Sequence, residues 1–103
     1  MDKAAVIEIL KQFKVILEKK GIKINKLILY GSYATGRYRE GSDIDVAIIS
    51  DDFEDKDYWE RIDILSEAIY EIFQPIEAVA FTPTEWNRRE SMIIDFAEKG
   101  ETV

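Results

Sequence analysis

Apolar residues recur along this chain with two periods. Over residues 3–20, Val6, Leu10, Phe13, Ile16 and Leu17 fall three and four apart with Lys and Glu between them, which predicts an amphipathic helix. Asp2 stands where a helix cap belongs, and Gly21 where a glycine stop does. The run Leu27-Ile28-Leu29 predicts a short strand over Lys26–Tyr30 that feeds directly into Gly31-Ser32. A short helical turn is expected from Ser32 to about Gly36, then a polar loop over Arg37–Ser42. From Asp43 to Ser50 the period changes to two. Ile44, Val46 and Ile48 take one face of a second strand, and Asp43, Asp45 and Ala47 the other.

Residues 51–57 hold five acidic side chains in seven, and read as a solvated loop whose charge favours the next helix N-terminus. Asp57 and Glu60 have the spacing of a capping box. The helix they open is expected to reach about Phe73, with Trp59, Ile62, Leu65 (or Ser66), Ile69 and Phe73 on its buried stripe and Pro75 ending it. Ile76–Phe81 predicts a third strand, with Glu77, Val79 and Phe81 on one face and Ile76, Ala78 and Ala80 on the other. Thr82-Pro83-Thr84-Glu85 is a second helix start, with a Thr cap, Pro in the first turn and Glu three residues on. The following helical region is expected to break near Glu90–Ser91, to bury Met92, Ile93, Phe96 and Ala97, and to stop at Gly100. The last three residues form an edge strand or fray. The order α-β-(α)-β-α-β-α describes an α+β fold over residues 1–103, read as one domain with a mixed three- to four-stranded sheet and helices packed against it.

Composition narrows the chemistry. Hydrophobic residues make up 47% and charged residues 34%, the balance of a soluble globular domain. A net charge of −7 argues against a nucleic-acid binder, but not against an acidic enzyme that holds nucleotide through Mg²⁺. There is no cysteine and no histidine, so disulfides, thiolate or imidazole metal sites and Ser-His catalysis are excluded. Any metal must be held by oxygen, which favours Mg²⁺ or Mn²⁺. No signal peptide or membrane span is visible, and a cytoplasmic location is expected.

Three features carry candidate chemistry. Gly31 lets the backbone approach a phosphate without a Cβ in the way, and amides at the start of the following turn favour an anion, with the Ser32 hydroxyl as a further donor. Taken alone, Gly-Ser after a strand is usually just a turn. Asp43 and Asp45 share a strand face, where their charges repel unless a cation lies between them. The plain alternative is a solvated face. Glu77 interrupts an apolar strand, either as a third ligand or as an edge-strand gatekeeper.

Gly31-Ser32, ten residues, then Asp43-Ile44-Asp45, then a later strand carboxylate resembles the DNA polymerase β nucleotidyltransferase superfamily, and the chain's small size resembles its minimal nucleotidyltransferases. The resemblance runs from the first helix to Trp86. It implies that Gly31 and Ser32 hold a triphosphate, that Asp43 and Asp45 bind two Mg²⁺ ions (or Mn²⁺), and that Glu77 completes the site and helps activate the acceptor. Many small members have Asp where Glu77 stands and Arg where Thr35 stands. Arg37 and Arg39, in the intervening loop, either supply that positive charge to phosphate or stay solvated. Arg88 and Arg89 carry the same two readings, and Tyr33 and Tyr38 either stack on a base or pack.

The implied reaction transfers a nucleoside monophosphate, AMP from ATP first among candidates, to a hydroxyl. Small members of this kind are paired with a helical HEPN-domain toxin, to which the nucleotidyltransferase adds AMP as antitoxin. The resemblance therefore implies a HEPN-domain protein partner, with oligomerisation open, while the acidic charge and the lack of a visible span lead us to expect no nucleic acid and no membrane. Two alternatives stand beside it. One is a nucleotide-binding or antitoxin module acting by contact alone. The other is a small-molecule nucleotidyltransferase of the aminoglycoside-modifying kind.

Overall fold

In the computed structural model, which describes residues 1–103, the first helix begins where Asp2 accepts a hydrogen bond from the Ala5 amide. This α1 spans Lys3–Lys19 and buries Val6, Leu10, Phe13 and Leu17. β1 follows at Lys26–Tyr30, then a single helical turn, α2, at Ser32–Thr35, and β2 at Ile44–Ile49. α3 covers Tyr58–Ile72, β3 Ile76–Phe81, α4 Pro83–Asn87, α5 Met92–Ala97 and β4 Glu101–Thr102.

The strands form one mixed sheet in the order β3-β2-β1-β4. β1 runs antiparallel to both β2 and β4. β3 runs parallel to β2, a pairing that needs a long crossover, and α3 supplies it. One face of the sheet (Leu27, Leu29, Ile44, Val46, Ile48 and Ile76) packs against α1 and α3. The opposite face carries a smaller core of Ile28, Ala47, Ile49 and Phe81 under Ile94 and Ala97 of α5. The side-chain alternation expected for the second and third strands matches this division.

Both expected capping boxes are present, Asp57 with Glu60 and Thr82 with Glu85. The break after α4 is also as expected, with Ser91 accepting from the Ile93 amide to open α5.

Three expectations of burial are overturned. On α3 the buried positions are Leu65 and Ala68, whereas Trp59 and Phe73 stand exposed. The sheet meets this helix about one residue's rotation away from its aromatic stripe. On α5, Ile94 and Ala97 are buried while Met92 and Phe96 are exposed. A helix of six residues covering half a sheet face needs only two inward positions. Finally, the acidic stretch after β2 is not simply solvated. It contains a 3₁₀ turn over Asp51–Phe53 with Phe53 fully buried. Asp52 there accepts from the Lys23 amide at 2.6 Å, and Asp51 from the Asn25 side chain at 3.1 Å.

Candidate active site

At one end of the sheet the C-terminus of β1 lies beside the N-termini of β2 and β3. The strand register places Tyr30, Asp45 and Glu77 in a row across three strands, Tyr30 opposite Asp45 and Asp45 opposite Glu77. All three alternate onto the face that α5 only partly covers.

Gly31 closes the row from above. Its backbone, at φ 75° and ψ −151°, lies in a region essentially reserved for glycine. A Cβ on Gly31 would run into the Asp45 carboxylate. The missing side chain is therefore the space that Asp45 occupies, and the carboxylate is held directly under the Gly-Ser turn. The first amides of α2, at Ser32 and Tyr33, leave the same turn without intrahelical acceptors.

The electrostatics follow from this crowding. Burial pushes the Asp45 carboxyl up to about 6, helped by hydrogen bonding with the Glu77 carboxyl and by the charges of Glu77 and Asp43. The Tyr30 phenol is pushed up to about 12, first by burial and then by Asp45 and Glu77, so it stays a neutral donor. Asp43 precedes β2 and is exposed. It contributes charge to the site, but no three acidic side chains close on one point. The donor set is all oxygen and its repulsion is uncompensated within the protein. Both features fit a hard divalent cation.

Of the loop cations, Arg37 and Arg39 are exposed and neither guanidinium is in an ion pair. The Arg39 amide donates to the Ser42 hydroxyl at 2.8 Å, which shapes the loop. Arg89 is committed elsewhere: it holds Glu98 at 2.6 Å and also binds Asp95, fastening α5. Tyr33 is buried and stacks on Tyr38 with ring centroids 4.6 Å apart, so this pair packs against itself.

Sequence reasoning missed three residues here. A cavity of about 280 Å³ opens beside Gly31, with Tyr30 and Thr35 on one side and Phe96 and Lys99 on the other. Tyr30 was findable, since it precedes Gly31 and shares strand parity with Ile28 on the Asp45 face. Phe96 and Lys99 had no local signal. They reach Gly31 because Gly100 lies against β1, so close that a Cβ there would meet the Leu29 carbonyl.

Comparison with known proteins bears on the family and the fold. The family model described as a nucleotidyltransferase domain matches residues 10–99. Two proteins of Methanocaldococcus jannaschii, both provisionally named protein adenylyltransferases, are similar in sequence. MJ0141 is 48% identical over 48 residues, which is 43% of this chain and 46% of that protein. MJ0604 is 37% identical over 67 residues, 65% of this chain and 63% of that protein. The matched stretch thus spans about half to three-fifths of those relatives. A crystal structure provisionally assigned as a nucleotidyltransferase superposes with a TM-score of 0.62 at 31% identity, over 91% of this chain and 96% of that one. A Sulfolobus solfataricus structure with the same provisional assignment shares the fold, with a TM-score of 0.66 at 20% identity over 96% of this chain and 82% of that one.

Proposed function

Because the chain belongs to the nucleotidyltransferase domain family, we propose that it moves a nucleoside monophosphate, AMP from ATP, onto a hydroxyl of a partner protein. The observation that carries this reading is the placement of the Asp45 carboxylate, beside Glu77 in register and directly beneath Gly31. Acids are crowded together against a turn suited to phosphate, at a cost in repulsion that a folded scaffold has no other reason to bear. The names of the two M. jannaschii relatives favour a protein as acceptor.

In this reading the Gly31-Ser32 turn and its free amides hold the triphosphate, and Arg37, Arg39 and Lys99 supply positive charge around it. Asp45 and Glu77, with Asp43 alongside, are the ligands for Mg²⁺ or Mn²⁺, two ions by the family resemblance. When bound, the metal neutralises charge developing on the phosphates. Glu77 sits on the outermost strand and is exposed, so an acceptor hydroxyl can reach it. It orients that hydroxyl and takes its proton as the oxygen bonds to the α-phosphorus and pyrophosphate leaves. Most of the rate then comes from positioning. The partner proposed is a helical HEPN-domain toxin, with this chain as its antitoxin.

The test is intact-protein mass spectrometry of the HEPN-domain protein from the same host, incubated with this chain, Mg²⁺ and each nucleoside triphosphate in turn. A mass gain of one or more nucleoside monophosphates, lost in Asp45→Asn, is the expected result. A stable complex with no mass gain would sink the transferase reading and leave a module acting by contact.

A further inference from the structure

The stripe of α3 whose aromatic side chains stand outside the core has its own geometry, although its Ile69 also packs against the core. On α3, Trp59, Ile62, Ser66, Ile69 and Phe73 are spaced three and four apart, the spacing of a helix–helix seam. Trp59, Tyr70 and Phe73 are 70%, 82% and 86% exposed. Large aromatic side chains rarely gather on one open helix face without a partner. Phe73 breaks a second rule, because it caps α3 in the left-handed conformation, φ 55°, where glycine is the ordinary choice. A bulky apolar residue kept there, in open solvent, serves neither the helix end nor the core.

The stripe's surroundings say what covers it. Asp63 and Glu67 flank it and both are exposed, Asp63 free of any ion pair and Glu67 3.8 Å from the Lys20 ammonium of α1. Across from it lies the open edge of β3, where a cavity of about 440 Å³ runs between α3 and the α4–α5 connection and ends at Glu90. Arg61, the cation lining that cavity, is already bound to Glu85 at 2.7 Å. An apolar seam between acidic flanks repels a second copy of itself and suits a basic partner. At the other end of the stripe, Phe73 stands four residues before Glu77, and the Pro75 carbonyl accepts from the Ile44 amide at 2.8 Å. The C-terminal end of the seam therefore lies at the same end of the sheet as the candidate site, on the opposite face.

We propose that Trp59, Ile62, Ile69, Tyr70 and Phe73 form the docking surface for an amphipathic helix of a partner protein, apolar on its inner face and lysine- or arginine-rich on its flanks. A partner docked at the Phe73 end would reach Glu77 around the open edge of β3, since α3 packs on one face of the sheet and Glu77 lies on the other. That last step, delivery of an acceptor, rests on the transferase reading; the docking itself does not.

The probe is a labelled synthetic helix of three heptads with Leu at the seam positions and Lys on the flanks, titrated with the full chain and followed by anisotropy. A twin peptide carries Glu for Lys. The Lys peptide is expected to bind, to weaken as salt rises, and to lose about tenfold or more in Trp59→Ala and in Phe73→Gly. Phe73→Gly should melt no lower than the parent, which separates lost contact from lost folding. Val15→Ala, an exposed apolar change on α1, should leave binding unaltered. Asp45→Asn should bind the peptide as well as the parent while losing nucleotidyl transfer, so failure of either reading is visible apart from the other. The proposal is overturned if the Lys peptide does not bind, or binds the Trp59 and Phe73 variants equally. It is also overturned if the chain alone sediments as a dimer that Trp59→Ala dissociates, since the stripe would then belong to a second copy.

Discussion

Asp45 is under tension that a single atom change relieves. Its carboxylate is half-buried, shares space with Glu77 and feels Asp43. Replacing one charged oxygen by an amide keeps the shape and removes the repulsion. We expect Asp45→Asn to melt several degrees higher than the parent in the absence of metal while, on the proposed reading, losing transfer; calorimetry on metal-free protein checks the first. Gly31 carries the opposite expectation. Its positive φ and the Asp45 carboxylate both forbid a Cβ. Gly31→Ala should therefore cost about 1–3 kcal/mol in chemical denaturation, with transfer lost alongside.

At the scale of elements, one side chain ties the crossover to the rest of the fold. Arg61 of α3 donates to the Lys56 carbonyl at 3.1 Å, the Phe53 carbonyl at 2.8 Å and Glu85 at 2.7 Å. Glu85 also accepts from the Thr82 amide at 2.8 Å, closing the capping box of α4. Arg61→Ala leaves two carbonyls and a carboxylate without this donor, and is expected to cost about 2–3 kcal/mol, read as a lowered denaturation midpoint. Burial pushes the Glu85 carboxyl up, but the bonds from Arg61 and Thr82 outweigh it and hold the group below its ordinary value. A carboxyl lowered in the folded state stabilises above its unfolded titration and loses that contribution as pH falls through the folded one. Thermal melts from neutral pH to pH 3 should therefore show a loss of stability on acidification that is smaller in Glu85→Gln.

For the whole molecule, the parallel placement of β3 on β2 decides where chemistry can occur. It brings a residue 32 positions after Asp45 into register with it, and the β1 turn arrives at the same corner from the antiparallel side. The result is a negatively charged corner on a chain of net charge −7. Ligands that compensate that charge should stabilise the fold by mass action. Mg²⁺ or Mn²⁺ with a nucleoside triphosphate at a hundredfold excess over its dissociation constant should add about 2.7 kcal/mol, seen as a raised melting temperature that is absent in Asp45→Asn. No helix is long and apolar enough to cross a membrane.

The amino-acid sequence by itself determined the elements, because their signals are local. Asp57 with Glu60 and Thr82 with Glu85 start helices through bonds three residues long, and the period-two runs at residues 44–49 and 76–81 became strands with the faces that parity predicts. The Gly31-Ser32 turn and the Asp43/Asp45 pair were legible for the same reason, as was the family resemblance they carry. Only the tertiary structure decided which face of α3 meets the sheet. Helical periodicity marks a stripe as apolar, but what lies against it depends on how the crossover seats. Leu65 and Ala68 went inward, and Trp59 and Phe73 were left outside. The neighbourhood of the candidate site was likewise decided across strands. Glu77 adjoins Asp45, Tyr30 faces it, and Lys99 returns to Gly31 through pairings between residues far apart in the chain. Those pairings are set by packing of the whole sheet, which no local pattern encodes.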